Sequence, residues 1–179
     1  MSGGRTRPMS VDHRVDGPRL WLPEGVVLKT ARLLRSYCGP EEHEGVVYWG
    51  GMETPGGPVV LTAMSPTAAT TWGSFRTDSD ANAKLVLTLA RLDLVLVAQV
   101  HSHPGDWVDH SDGDDSGALV RFQGFWSLVV PHFARGGMQH LSNLGIHLYD
   151  AGEFRRLSNE AAAARVRILP AAVDLREDR

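Results

Sequence analysis

Apolar positions along the chain follow two periods, and the alternation between them outlines the elements. Val27, Ala31, Leu34 and Cys38 recur at i, i+4, i+7 and i+11, which marks one helical face. Pro23 suits the first turn of that helix, and Gly39-Pro40 ends it. Before it, Arg19–Leu22 reads as a short strand. After it, Glu41–Gly51 and Pro58–Ser65 read as strands, and Ala69–Phe75 as a further, edge-like one. Thr77-Asp78-Ser79-Asp80 supplies helix-start chemistry, and Ala83, Leu87, Ala90 and Arg91 carry that helix to Leu92. The strongest strand is Leu92–His103. Its faces are Leu94, Leu96, Ala98, Val100 and Val95, Val97, Gln99, His101, and apolar residues on both predict a central strand. Phe125–Pro131 and Gly145–Asp150 are later strands, and Asn159–Val166 is a short helix. The mixture predicts an α/β fold, a sheet flanked by helices.

A chain of 179 residues, 42% hydrophobic and 22% charged, suits one globular domain and excludes collagen-like, coiled-coil or wholly disordered classes. Residues 1–18, polar and rich in Arg, Gly and Pro, read as a flexible N-terminal arm, residues 19–170 as the domain, and 171–179 as a charged C-terminal tail. A net charge of -3 offers no footprint for nucleic acid or an anionic membrane. Cys38 is the single cysteine, which excludes an internal disulfide and suits a reducing compartment. On its helix face it reads as a small core residue. The N-terminus lacks an apolar leader core, and the longest apolar run contains Asp93 and Gln99 and is too short to span a bilayer. The expectation is a cytoplasmic protein.

Chemistry concentrates in residues 101–114. His101 and His103 lie two apart at the end of the central strand, so the period of two puts both imidazoles on one face. Pro104 stops the strand, and Asp114 can return over the following loop as an oxygen ligand. Two imidazoles and a carboxylate leave one position of a tetrahedral ion open, the pattern of catalytic rather than structural zinc. Ser111 and Asp114 also read as a helix N-cap and its acidic N3 partner, a role compatible with ligation. Asp106, Asp109, Asp112 and Asp115 read as solvated loop charges, each a possible ligand in place of Asp114. His110 reads as a solvated loop histidine, and His13, His43, His132, His140 and His147 as surface or satisfied groups.

His101-Ser102-His103-Pro104, six residues, Ser111, two residues and Asp114 resemble the JAMM motif of the MPN (JAB domain) metalloproteases, H-[ST]-H-P-x6-S-x2-D. The resemblance extends across residues 19–170 and implies a single MPN-like domain, a curved mixed β-sheet flanked by helices, with one catalytic Zn2+ held by His101, His103 and Asp114. It implies that Ser111 hydrogen-bonds near the attacking water and the oxyanion. An upstream glutamate acts as general base in that family. Glu42 lies three before Gly45 and Glu44 seven before Gly51, each fitting half of the family's glutamate pattern. Glu44, at the start of the apolar strand, is the preferred base, and Glu42 is the alternative. The implied reaction is amide or isopeptide hydrolysis after the extended C-terminal tail of a ubiquitin-like protein. Activating and conjugating enzymes of the same pathway would be partners. The alternatives are release of an amino acid from a sulfur-carrier protein and a non-catalytic MPN scaffold. Iron, manganese or cobalt also suit His2Asp ligation. An extended tail needs a strand edge and a rim. Thr71, Trp72 and Gly73 supply the edge, Trp107 closes the other side, and small residues are expected next to the cleaved bond.

Overall fold

The computed structural model describes residues 10–39 and 41–171. In chain order its elements are β1 (Val11–Asp12), β2 (Leu20–Pro23), α1 (Glu24–Ser36), β3 (Val46–Met52), β4 (Val59–Met64), β5 (Ala68–Thr71), β6 (Ser74–Thr77), α2 (Ser79–Arg91), β7 (Val95–Ser102), α3 (Asp112–Gly117), β8 (Trp126–Val130), β9 (Gly145–Asp150), β10 (Glu153–Leu157), α4 (Asn159–Arg165) and β11 (Val166–Leu169). Nine strands make one curled mixed sheet in the order β1-β10-β9-β8-β7-β3-β4-β2-β11. The mixed α/β reading therefore stands.

Strand β7 lies in the middle, antiparallel to β3 and parallel to β8. It is buried on both faces from Val97 to Ser102, as its two apolar faces require. One face of the sheet packs a continuous core that includes Leu34 of α1, Trp49 of β3 and Trp126 of β8. The buried Trp49 indole N–H donates to Thr30 Oγ1 at 2.8 Å, so the core leaves it satisfied. The pairing of β3 slips at Gly50 and Gly51. A Cβ at Gly51 would lie 2.1 Å from the Val59 carbonyl oxygen, so this bulge admits only glycine.

The structure corrects several expectations. Ala69–Phe75 is not one strand: Trp72 and Gly73 form a two-residue turn between β5 and β6, which pair as a hairpin apart from the main sheet. In α2 the buried residues are Leu85 and Leu89, while Leu87 is exposed. Both helix faces carry leucine, and the bare Gly50 gives Leu89 its seat: a Cβ there would lie 2.2 Å from Leu89 Cδ2. Within the arm expected over residues 1–18, Val11–Asp12 forms a short strand and Asp12 is buried, while the other described residues of the arm are exposed. β1 pairs parallel with β10, and the Asp12 carboxylate accepts from the Arg165 guanidinium at 3.2 Å. Arg165, 1% exposed, also donates to the Pro18 carbonyl and lies 5.6 Å from the Trp126 ring. Residues 1–9 of the arm and 172–179 of the tail lie outside the described residues. Among the described residues no helix is long and apolar enough to cross a membrane.

Candidate metal centre and cleft

His101 is the penultimate residue of β7 and His103 follows its end, so strand alternation aims both rings to one side. The backbone of His103 is fixed from both directions, its N–H donating to Val130 O at 2.9 Å and its carbonyl accepting from Phe133 N at 2.8 Å. His103 Nδ1 lies 2.9 Å from the Trp107 carbonyl, which can only accept, so Nδ1 carries the proton and Nε2 presents its lone pair. The Trp107 ring stacks on the same imidazole at 5.1 Å and 10°. The loop carrying Trp107 lies close against β9. A Cβ at Gly145 would sit 1.8 Å from the Val108 carbonyl oxygen, so glycine alone permits that approach.

The third group comes from α3. Ser111 is its N-cap and forms a capping box with Asp114, as the sequence reading allowed. Asp114 Oδ2 accepts from the Ser111 N–H and from its hydroxyl, each at 2.7 Å, which turns the carboxylate inward. The helix is short and ends at Gly117.

His101 Nε2 lies 3.2 Å from His103 Nε2 and 3.3 Å from Asp114 Oδ1, and His103 Nε2 lies 3.5 Å from Asp114 Oδ2. Ligand bonds of about 2.0–2.1 Å in a tetrahedral site place ligand atoms about 3.3 Å apart. The three side chains therefore fit a divalent ion, and among the described residues they form the one cluster of this kind. Burial depresses the His101 pKa. Burial would also depress His103, but hydrogen bonding and charge from Asp114, with Glu44, leave it raised. Asp114 is held well below the usual carboxylate range: burial opposes this, and the two histidines and the Ser111 N–H outweigh it. His101 Nδ1 is buried with no hydrogen-bond partner among the described residues, and the Phe75 ring lies 5.3 Å from that imidazole.

The cluster opens into a cleft of about 350 Å³ lined by Glu44, His103, Ser111 and Asp114, with Trp72, Gly73 and Trp107 at its mouth. Glu44 stands two residues before β3 and is 4% exposed. Its N–H donates to Thr71 O at 2.8 Å, and the adjacent Gly45 exchanges hydrogen bonds with Ser102 between the two histidines. Burial pushes the Glu44 pKa up to about 7, with Asp114 adding and His103 opposing. Glu42 lies outside the cleft, half-exposed and paired with Arg135. Thr71 does not line the cleft either: its carbonyl accepts from the Glu44 N–H, and its hydroxyl lies 2.8 Å from Ser74 Oγ across the hairpin turn. Trp72 and Trp107 are 62% and 42% exposed, whereas Trp126 is core. Cys38 is half-buried and also outside this wall.

Four features escaped the sequence reading. His110 is not solvated but 5% exposed, bridging Asp115 and Ser127. His147 is fully buried, its ring 4.1 Å from that of His110. Asp109 pairs with Arg156 at 2.8 Å. Last, His132, Phe133 and Ala134 all take left-handed φ, at 53°, 52° and 59°. Left-handed backbone costs roughly 1–2 kcal/mol per non-glycine residue. Here it aims the N–H groups of His132 and Phe133 at the carbonyls of Gly105 and His103, bracing the histidine loop. No glycine marks that turn in the sequence. His110 had a signal, an imidazole directly before a capping serine.

No family model matches the chain. The probable metalloprotease y4jG of Sinorhizobium fredii is 34% identical over 118 residues, which cover 64% of this chain and 72% of that protein. Among solved structures, protein DSY2949 of Desulfitobacterium hafniense shares the fold, with a TM-score of 0.61 at 13% identity over 84% of this chain and 94% of that one. A protein of Salinibacter ruber aligns with a TM-score of 0.48 at 21% identity, over 75% of this chain and 87% of its own.

Proposed function

Because the chain belongs to the family of the probable metalloprotease y4jG, we propose that it is a zinc-dependent peptidase of JAMM type, cleaving after the extended tail of a ubiquitin-like protein. The observation that carries this reading is the convergence of His101, His103 and Asp114 at tetrahedral spacing in one cleft with a buried glutamate. A zinc ion held by those three side chains would supply Lewis acidity toward the scissile carbonyl and acidify water beside it. Glu44 takes a proton from the attacking water and returns it to the departing amine, acting as base and then acid. Burial at the cleft wall raises the Glu44 pKa, which favours its uptake of a proton. Ser111 lines the same wall. Its hydroxyl donates to Asp114 beside the cluster, and its role in this reading is to donate to the developing oxyanion.

The tail reading is supported by the cleft mouth. Trp72 and Trp107 line the cleft with exposed rings, and Gly73 adds no side chain there. The β5–β6 hairpin offers backbone groups against which an extended tail can lie. Side chains flanking the cleaved bond would meet the rim, so small residues are favoured there. Fusions of a ubiquitin-like protein ending in Gly-Gly should be cleaved faster than versions ending in bulky residues, by about 10- to 200-fold, the range of steric discrimination in such pockets. Equal cleavage of both, or cleavage only within folded segments, would refute tail threading. Loss of all cleavage on chelation is expected in either case.

A further inference from the structure

From Asp109 to Gly117 the chain carries no apolar side chain. Helix α3, Asp-Gly-Asp-Asp-Ser-Gly, is built from residues that favour caps and turns over helix interiors. Hydrophobic burial therefore cannot seat this helix, although it must deliver Asp114 to within 3.5 Å of two imidazoles. The nearest apolar anchors are the buried Val108 before it and Leu119 after it, which packs against Val46, Tyr48 and Leu85.

Between those anchors, His110 enters the body of the protein. Its Nδ1 lies 2.8 Å from Asp115 Oδ1, and its Nε2 2.9 Å from Ser127 Oγ. An ionised carboxylate only accepts, so Nδ1 donates to Asp115, while Nε2 and the Ser127 hydroxyl share the second hydrogen bond. The order acid, imidazole, serine is that of a nucleophilic triad, but Ser127 is fully buried in β8 and no substrate can reach it. The line is a tether. Ser127 belongs to the central sheet, Asp115 is the neighbour of Asp114, and His110 precedes the capping serine. The His110 ring is wedged 5.6 Å from His101 on one side and 4.9 Å from Phe154 on another, so it has one seat.

We propose that His110, held between Asp115 and Ser127, is the positioning residue that seats Asp114 against His101 and His103. The proposal rests on the metal-site reading above. Polar groups that orient metal-binding side chains typically change affinity by about 10- to 100-fold when removed.

The test measures Zn2+ affinity of the full chain by competition with a chromophoric chelator, and the visible spectrum of the Co2+-loaded protein. Asp115→Ala, at a half-exposed position, and Ser127→Ala, which removes one buried hydroxyl, should each weaken Zn2+ binding by about 10- to 100-fold. The Co2+ bands should change as Asp114 loosens. Asp115→Asn retains an oxygen acceptor for Nδ1 and should stay within about threefold of the parent. If Ser127→Ala unfolds, the Asp115 pair decides alone. Affinity and Co2+ spectrum unchanged in Asp115→Ala would overturn the positioning role, as would equal losses in Asp115→Ala and Asp115→Asn. Failure of the parent chain to bind Zn2+ would instead remove the metal site itself, together with the proposal built on it.

Discussion

Glu44→Gln is expected to lower the peptidase rate by roughly 100- to 10,000-fold, the usual contribution of a positioned acid–base group. Metal content and thermal stability should stay close to those of the parent chain, because the carboxylate ligates nothing and the amide preserves its volume. Its environment explains the size of the effect. The side chain is buried at the cleft wall, where desolvation pushes its pKa up to about 7 and favours proton uptake. Glu42→Gln provides the contrast. Glu42 pairs with Arg135 at the surface and does not line the cleft. Exposed ion pairs contribute about 0–1 kcal/mol, so that variant should keep its rate and nearly all its stability. A rate collapse in Glu42→Gln with Glu44→Gln intact would require the base to be reassigned.

The second large effect lies far from the cleft. Asp12→Ala should destabilise the fold by about 3–5 kcal/mol, because it strands the buried Arg165 guanidinium without its counter-ion. For a chain of this size that amounts to roughly 6–20 °C in Tm. The pH dependence has a definite sign. Hydrogen bonding from Arg14 holds the Asp12 carboxyl well below the usual carboxylate range, with burial opposing and the charge of Arg165 assisting. A depressed folded-state pKa contributes stability above the unfolded value of about 3.9, and that contribution is lost as pH falls below it. Urea melts of the parent at pH 7 and pH 3 should therefore differ more than those of Asp12→Asn, which lacks the titrating group. Equal acid sensitivity in both would show that other carboxylates dominate, and a full-strength Asp12→Ala would show that Arg165 finds another partner.

Much of the site was legible because its residues are local in sequence. A strand that is apolar on both faces had to be central, and its last alternate positions had to share a face, which put His101 and His103 together. The capping signature of Ser111 and Asp114 was readable for the same reason. What escaped depended on long-range pairing. Nothing near Val11 announces that it pairs with β10, because the partner of Asp12 is Arg165 at the other end of the chain. The face of α2 was ambiguous because leucines occur on both sides, and only Gly50 beneath Leu89 decides it. Trp72-Gly73 reads as strand interior in the sequence because β-prone residues flank it on both sides. His110 looked like a loop histidine because its two partners, Asp115 and Ser127, come from different elements.

Everything proposed for the cleft depends on His101, His103 and Asp114 holding one catalytic ion. The most direct measurement is elemental analysis of protein purified without chelator, beside the His101→Ala/His103→Ala double variant. The parent should carry about one zinc per chain, as expected for three protein ligands and one open position, and the double variant essentially none. Stoichiometric zinc surviving in the double variant, or a parent chain that takes up no divalent metal, would contradict it.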